Sequence, residues 1–324
     1  MRRVRYYEHG GPEVLRLEDA AVPEPAAGQV RLRAEVIGAN FVDTRFRAGP
    51  SSGPLFARPL PGRPTGDVVG VVDAVGPGVD PSLGGRRVGA LVAEDAYAEY
   101  TLADASRLVP IPDGVDDATA TTLAGTAPVA LGVLRLGRLA AHETVLVHSA
   151  AGGIGHLVVQ LARRQGATVI ATASTASKLD FATAFGAHVG VDYTDPGWPE
   201  QVRAAAPTGV DLVVDAIGGD VLRHSVDVLA PFGRAVVYGA AGGELIDVPV
   251  RSLFGLKAVL GFSYLAWWAA APEQVRAAIA ELTRLAEDNA LRAAVHARLP
   301  LADAARAHRI LDDRGQLGRV LLVP

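Results

Sequence analysis

The chain has 324 residues, of which 49% are hydrophobic, with a formal charge of −4 and no cysteine. That length suits about two domains, and the near-neutral balance gives no footing for nucleic acid or an anionic membrane. Without cysteine there are no disulfides, no thiolate nucleophiles and no Cys-based zinc sites.

The opening stretch, Met1-Arg2-Arg3-Val4-Arg5-Tyr6-Tyr7, lacks the apolar core of a signal peptide. Segment 258–271 is the most apolar, but it is too short to span a bilayer and holds Ser263 and Tyr264. A soluble, cytoplasmic protein is therefore expected. Residues 1–120 read as short strands separated by Pro/Gly turns. Val30 to Ile37 alternates with a period of two, Asp67 to Gly76 is a β-branched run, and 87–92 and 96–102 continue the pattern. The prediction is a mainly-β domain built as a distorted barrel.

Residues 144–178 carry the strongest signal. Thr144-Val-Leu-Val-His148 suits a strand buried on both faces. The turn Ser149-Ala150-Ala151-Gly152-Gly153-Ile154-Gly155 follows. A helix with apolar Leu157, Val158, Leu161 and Ala162 then runs to Gly166, and the run Thr168 to Thr172 predicts a second strand. This is the βαβ start of a dinucleotide-binding sheet. The usual G-x-G-x-x-G reads Ala150-x-Gly152-x-x-Gly155 here. Small residues let backbone amides and a helix N-terminus approach a pyrophosphate; they also fill tight strand–helix turns for packing alone.

About 20 residues further on, an NAD-binding chain carries an acid for the ribose 2′-hydroxyl. This chain has Ser174-Thr175-Ala176-Ser177-Lys178, hydroxyls and a cation that suit a 2′-phosphate. A charge-assisted hydrogen bond contributes roughly 1.5–3 kcal/mol, so Lys178 alone would favour NADPH about 10- to 100-fold.

Further strands are predicted at 188–193, 211–216, 234–238 and 257–262, with helices between them, which completes a doubly wound sheet. A helix from Pro272 to Asn289, a strand at 293–298, a helix near 302–313 and a strand at 319–323 are expected to return to the first domain. The division is then 1–123 plus 264–324 for the β-rich domain and 124–263 for the inserted sheet, with a cleft between the two bodies.

Other constellations fail on spacing. His142-Glu143 begins like H-E-x-x-H, but position 146 is Leu. No G-x-S-x-G elbow occurs, and adjacent His148 and Ser149 point to opposite faces of a strand. Asp192 and Asp195 flank a loop around Tyr193.

Together these features resemble the medium-chain dehydrogenase/reductase superfamily, and within it the zinc-independent quinone oxidoreductase (zeta-crystallin-like) branch. The resemblance implies an α/β fold, a Rossmann sheet inserted in a GroES-like distorted barrel. Gly38-Ala39-Asn40-Phe41-Val42-Asp43-Thr44-Arg45-Phe46-Arg47-Ala48-Gly49 is similar to the branch's N-x-x-D-x-x-x-R-x-G segment. Asn40 stands where zinc alcohol dehydrogenases carry a metal-binding cysteine. Gly66, before Asp67, stands where they carry a histidine. The four-cysteine zinc lobe is absent too, so the resemblance implies a metal-free protein.

By the same resemblance Thr126 lies near a nicotinamide, with Ser174, Lys178 and Tyr193 around the 2′-phosphate. Gly239 and Arg319 fall where relatives have cofactor-contacting backbone. Two departures concern the acceptor: Arg45 and Phe46 fill a neighbourhood where relatives carry a tyrosine, and 49–54 replaces a later one.

A metal-free site favours acceptors that delocalise the incoming charge themselves, such as quinones, enones and enoyl thioesters. The expectation is NADPH bound along 150–155 with its nicotinamide between Asn40 and Thr126. Asn40, with Arg45 or Arg47, would stabilise the developing oxyanion, and water would supply the proton. NADPH:quinone reduction is the first reading. Reduction of an activated C=C bond is the alternative, and a non-catalytic NADPH-binding protein is a third. A homodimer through the sheet's last strand, near 256–263, is also implied by the resemblance.

Overall fold

A computed structural model describes the whole chain except residues 54, 55 and 245. The chain divides into two compact units, Met1–Thr126 with Ile279–Pro324, and Ala127–Ala278.

The first unit begins with β1 (Arg2–Arg5) and β2 (Arg16–Asp19), which pair antiparallel. β3 (Gln29–Ala39), α1 (Phe41–Ala48), β4 (Gly66–Val75), β5 (Arg87–Val92), β6 (Tyr100–Asp104), β7 (Val109–Pro110) and α2 (Asp117–Thr122) follow. β3 alternates between buried and outward residues and then becomes wholly buried over Val36–Ala39. This is how a strand reads when it passes from a sheet face into a core.

α3 (Thr126–Leu136) begins at the last residue of the first unit's opening segment, and the second unit then contains β8 (Thr144–Val147), α4 (Gly155–Arg164), β9 (Thr168–Ala173), α5 (Ala176–Ala184) and β10 (Val189–Asp192). It continues through α6 (Trp198–Ala205), β11 (Val210–Asp215), α7 (Gly219–Asp227), β12 (Leu229–Val237), β13 (Ala258–Gly261) and α8 (Tyr264–Ala270), and α9 (Pro272–Glu287) carries the chain back into the first unit. The second unit's sheet has the order β10-β9-β8-β11-β12-β13, and every pair is parallel. The strand order reverses between β8 and β11, and ligands bind at the carboxyl ends of strands at such a point. α4 ends on Gly166, whose φ of +84° suits a residue without a Cβ. The Ala167 amide then donates to the Ala162 carbonyl at 3.2 Å, a helix-ending bond.

The chain closes with β14 (Val295–Pro300), α10 (Ala304–Asp312) and β15 (Arg319–Val323) in the first unit. β15 pairs with β14 in parallel and with β3 antiparallel. The result is a seven-stranded sheet, β14-β15-β3-β4-β5-β7 with β6 also on β3. Val30, Leu32, Ile37, Val68, Val72, Val88, Tyr97 and Leu322 form its core. In the second unit Leu146, Ile170, Trp198, Val213 and Ala235 do the same.

The strands predicted for the nucleotide sheet all occur. β12 is longer than the predicted 234–238 because pairing with β11 begins at Leu229 and shifts register before Arg234.

Candidate functional site

At the carboxyl end of β8 the chain turns through Ser149, held in the left-handed region at φ +52°. Ala150 and Ala151 are buried, while Gly152, Gly153 and Ile154 are half-buried. α4 then starts at Gly155. A Cβ there would overlap the Ser149 carbonyl oxygen and Ala150 Cα, so the helix lies this close to the turn only because residue 155 has no side chain. The first amides of any helix lack intrahelical acceptors, and here they issue from a turn of small residues, an anion-binding arrangement.

The neighbouring strand ends complete that site. Ser174 follows β9, and Thr175 caps α5 by accepting the Lys178 amide at 3.4 Å. Lys178 Nζ donates to Ser174 Oγ at 3.0 Å. Tyr193, just past β10, is half-buried, and its amide donates to the Ala173 carbonyl at 3.2 Å. Ser174, Lys178 and Tyr193 are thus gathered at adjacent strand ends. No carboxylate stands between Ala173 and Lys178. Hydroxyls and an ammonium beside a small-residue turn form a donor set that fits a phosphorylated dinucleotide.

At the end of β11, burial pushes the Asp215 carboxyl up to about 6, against the pull of the Ile217 and Gly218 amides that donate to it. Gly239, after β12, lies against the same turn: a Cβ would come 3.1 Å from the Ala216 carbonyl oxygen.

In the first unit, Asn40, Asp67, Thr126 and Arg319 form one cluster. Arg319 Nη1 donates to Asn40 Oδ1 and to Thr126 Oγ1, each at 2.9 Å, and Nη2 donates to Asp67 Oδ2 at 2.8 Å. Thr126 Oγ1 donates to the same Asp67 oxygen at 2.7 Å. Asn40 stands at the N-terminus of α1 without capping it through its side chain. The resemblance implies a cofactor contact from the Arg319 backbone. Its amide donates to the Ala294 carbonyl, and its guanidinium is buried in this cluster. In the sequence Asp67 stands in a predicted strand, just after the position of the missing histidine. An acid opening a β-branched run was the available signal for its larger part here.

Arg45 and Arg47 correct the expectation that they serve the oxyanion. Arg47 is 2% exposed. It donates to the Gly10 carbonyl, to His308 Nδ1 at 3.0 Å and to Asp312 at 2.7 Å. Burial, helped by the Arg47 charge, pushes His308 down to about 3. The neutral ring accepts from Arg47 through Nδ1 and so donates from Nε2 to the Tyr97 hydroxyl at 3.1 Å. Arg45 pairs with the other oxygen of Asp312 at 2.9 Å and lies over the Phe41 ring. Both arginines hold α1 to α10. Gly49–Ser52 forms a single helical turn after α1, and Pro54, named in the expectation, lies outside the described residues.

His148 is buried between Thr172 Oγ1 and Ser225 Oγ, each 2.7 Å away, and burial pushes it down to about 3. It orders the core and activates no nucleophile. Among the described residues, no group of three or more His, Asp and Glu could hold a metal ion. No helix among them is long and apolar enough to cross a membrane.

Residues 26–113 match the alcohol dehydrogenase GroES-like domain, and residues 153–284 match the zinc-binding dehydrogenase domain. A 2-haloacrylate reductase from Burkholderia sp is 35% identical over 327 residues, covering 98% of this chain and 97% of that protein. A quinone oxidoreductase from Pseudomonas aeruginosa is 34% identical over 336 residues, covering 100% and 99%. A mycobacterial protein solved in complex with NADPH superposes with a TM-score of 0.92 at 36% identity, covering 100% of both chains.

A doubly wound sheet inserted in a GroES-like domain defines a medium-chain dehydrogenase/reductase, and the chain is one. Asn40 and Gly66 offer no thiolate or imidazole. Within the superfamily, the chain belongs to the zinc-independent quinone oxidoreductase (zeta-crystallin-like) branch.

Proposed function

We propose that this protein is an NADPH-dependent reductase of conjugated acceptors, with a quinone as its principal substrate. The observation that carries the reading is the Lys178–Ser174 pair, 3.0 Å apart at the end of β9, where an NAD-binding chain would hold an acid. The mycobacterial relative's complex with NADPH supports it.

When bound, NADPH supplies a hydride to the acceptor. The backbone of 150–155 holds the pyrophosphate by its amides and the N-terminus of α4. Ser174 and Lys178 bind the 2′-phosphate, with Tyr193 beside the adenosine. Thr126 and Asn40 position the reacting end, and Asn40 donates to the acceptor oxygen as it gains negative charge. Water delivers the proton that completes a two-electron reduction. No metal polarises the acceptor in this scheme, because glycine at 66 supplies no donor and the Asn40 oxygen is held by Arg319.

A second reading, reduction of an activated C=C bond, is favoured by the 35% identity to 2-haloacrylate reductase. Steady-state rates with 1,4-benzoquinone, naphthoquinones, cyclohexenone, 2-chloroacrylate and a crotonyl thioester decide between the two. Faster turnover of quinones supports the first reading, and turnover confined to the alkenes replaces it with the second. Failure to oxidise NADPH with any of them removes both.

A homodimer in the cytoplasm completes the proposal. β13 pairs only with β12 among the described strands, so one edge is open. Phe232, Val250, Phe254 and Leu256 are exposed in the same unit, Phe254 at 78%. An open strand edge and exposed apolar side chains are features that subunit pairing covers. Cell fractionation tests the location.

A further inference from the structure

The Asp67–Arg319 pair is almost entirely removed from solvent, with side-chain exposures of 1% and 3%. Such a pair stabilises a fold weakly, because desolvation offsets the attraction. Two of its atoms, Asp67 Oδ1 and Arg319 Nε, are buried with no hydrogen-bond partner. The backbone also makes room for it. A Cβ at Gly38 would overlap the Arg319 guanidinium, and one at Gly125 would overlap Asp67 Oδ1. A costly pair seated between two glycines needs a reason beyond stability.

That reason lies in what each group can do. A guanidinium only donates and a carboxylate only accepts. The Asn40 atom facing Arg319 is therefore its oxygen, and Nδ2, the other amide atom, has no acceptor among the described residues. Asn40 is half-buried, and this nitrogen is not among the buried unpartnered atoms. Thr126 has one proton, and Asp67 takes it, while Arg319 donates to the same hydroxyl. What Thr126 has left is a lone pair.

We propose that the buried Asp67–Arg319 pair fixes the hydrogen-bond polarity of the reacting site, making Asn40 solely a donor and Thr126 solely an acceptor outward. This rests on the reductase reading above. An acceptor oxygen gaining negative charge needs a donor, and the carboxamide NH2 of a nicotinamide needs an acceptor. Arg319 is thus a positioning residue that acts through Asn40 and Thr126.

Asn40→Asp tests this at constant shape, since it keeps an oxygen toward Arg319 and replaces the outward donor with an acceptor. Removal of one such donor typically lowers turnover about 100- to 1,000-fold, and that loss in kcat is expected with NADPH affinity, read by fluorescence titration, kept within about threefold. The unliganded protein gives a second readout. N40D gains a charge partner in Arg319 and is expected to melt no lower than wild type, whereas Asn40→Ala melts lower.

A third arm separates positioning from bulk. An ammonium has three donors and no acceptor, so Arg319→Lys preserves the polarity and retains at least about tenfold more kcat than Arg319→Gln, which can present either group. Undiminished kcat in N40D, or N40D melting below N40A, overturns the assignment while leaving the reductase reading intact. Wild-type protein that fails to oxidise NADPH with every quinone and alkene of the panel overturns both.

Discussion

Arg47 and Asp312 meet at 2.7 Å although 265 positions separate them in the sequence. The bond ties α1 to α10 and makes Arg47 a structural cation. Arg47→Ala should cost on the order of 3 kcal/mol, because it strips a buried charge from a network that includes Asp312 and His308. Chemical denaturation measures this. Turnover per folded molecule should stay within about twofold, since truncating a purely structural residue removes no transition-state contact. Normal stability with lost turnover would return Arg47 to the chemistry.

Lys178→Glu places a carboxylate where the 2′-phosphate is held. The Michaelis constant for NADPH should rise by at least about tenfold, the value of one charge-assisted hydrogen bond, while that for NADH changes little. Equal shifts for the two coenzymes would remove Lys178 and Ser174 from the 2′-phosphate site.

Asp43 gives a pH signature. Burial pushes its carboxyl up to about 7, although the Thr65 amide and hydroxyl donate to it and pull the other way. The folded state therefore holds this proton more tightly than the unfolded chain does. The stability it contributes is complete below the unfolded value near 4 and is lost as pH rises through about 7. Asp43→Asn, which resembles the protonated form, should flatten this component. Melting temperatures from pH 5 to 8.5 should show variant and wild type converging toward the acid end, with the variant higher at pH 8. Parallel curves would contradict the assignment.

Phe254 is 78% exposed in the unit that carries the open edge of β13. If that face covers a second copy, Phe254→Glu should convert a dimer into a monomer by light scattering, with the melting temperature of the protomer nearly unchanged. Wild-type protein that scatters as a monomer at tens of micromolar, a range in which specific homodimers are assembled, would remove the dimer from the account.

The sequence makes the second unit legible because its evidence is local. β-branched runs, a small-residue turn and Gly166 are read within a few residues of one another. The Ser174–Lys178 pair is one helical turn apart and was legible for the same reason. The charge network of the first unit was not. Arg45 and Arg47 look like free cations beside Asn40 until α10 brings Asp312 to them. Arg319 and Asp67, 252 positions apart, meet only once β15 has joined β3 and β3 has joined β4. Charge pairing across such distances leaves no periodicity to read.

The central claim is reduction that depends on a phosphorylated coenzyme and on no metal. Initial-rate kinetics with 1,4-naphthoquinone on protein dialysed against a strong chelator test it most directly, comparing NADPH with NADH. The account predicts undiminished turnover after chelation and a kcat/KM at least about tenfold higher for NADPH. Equal use of the two coenzymes, or activity that returns only when zinc is added back, would contradict it.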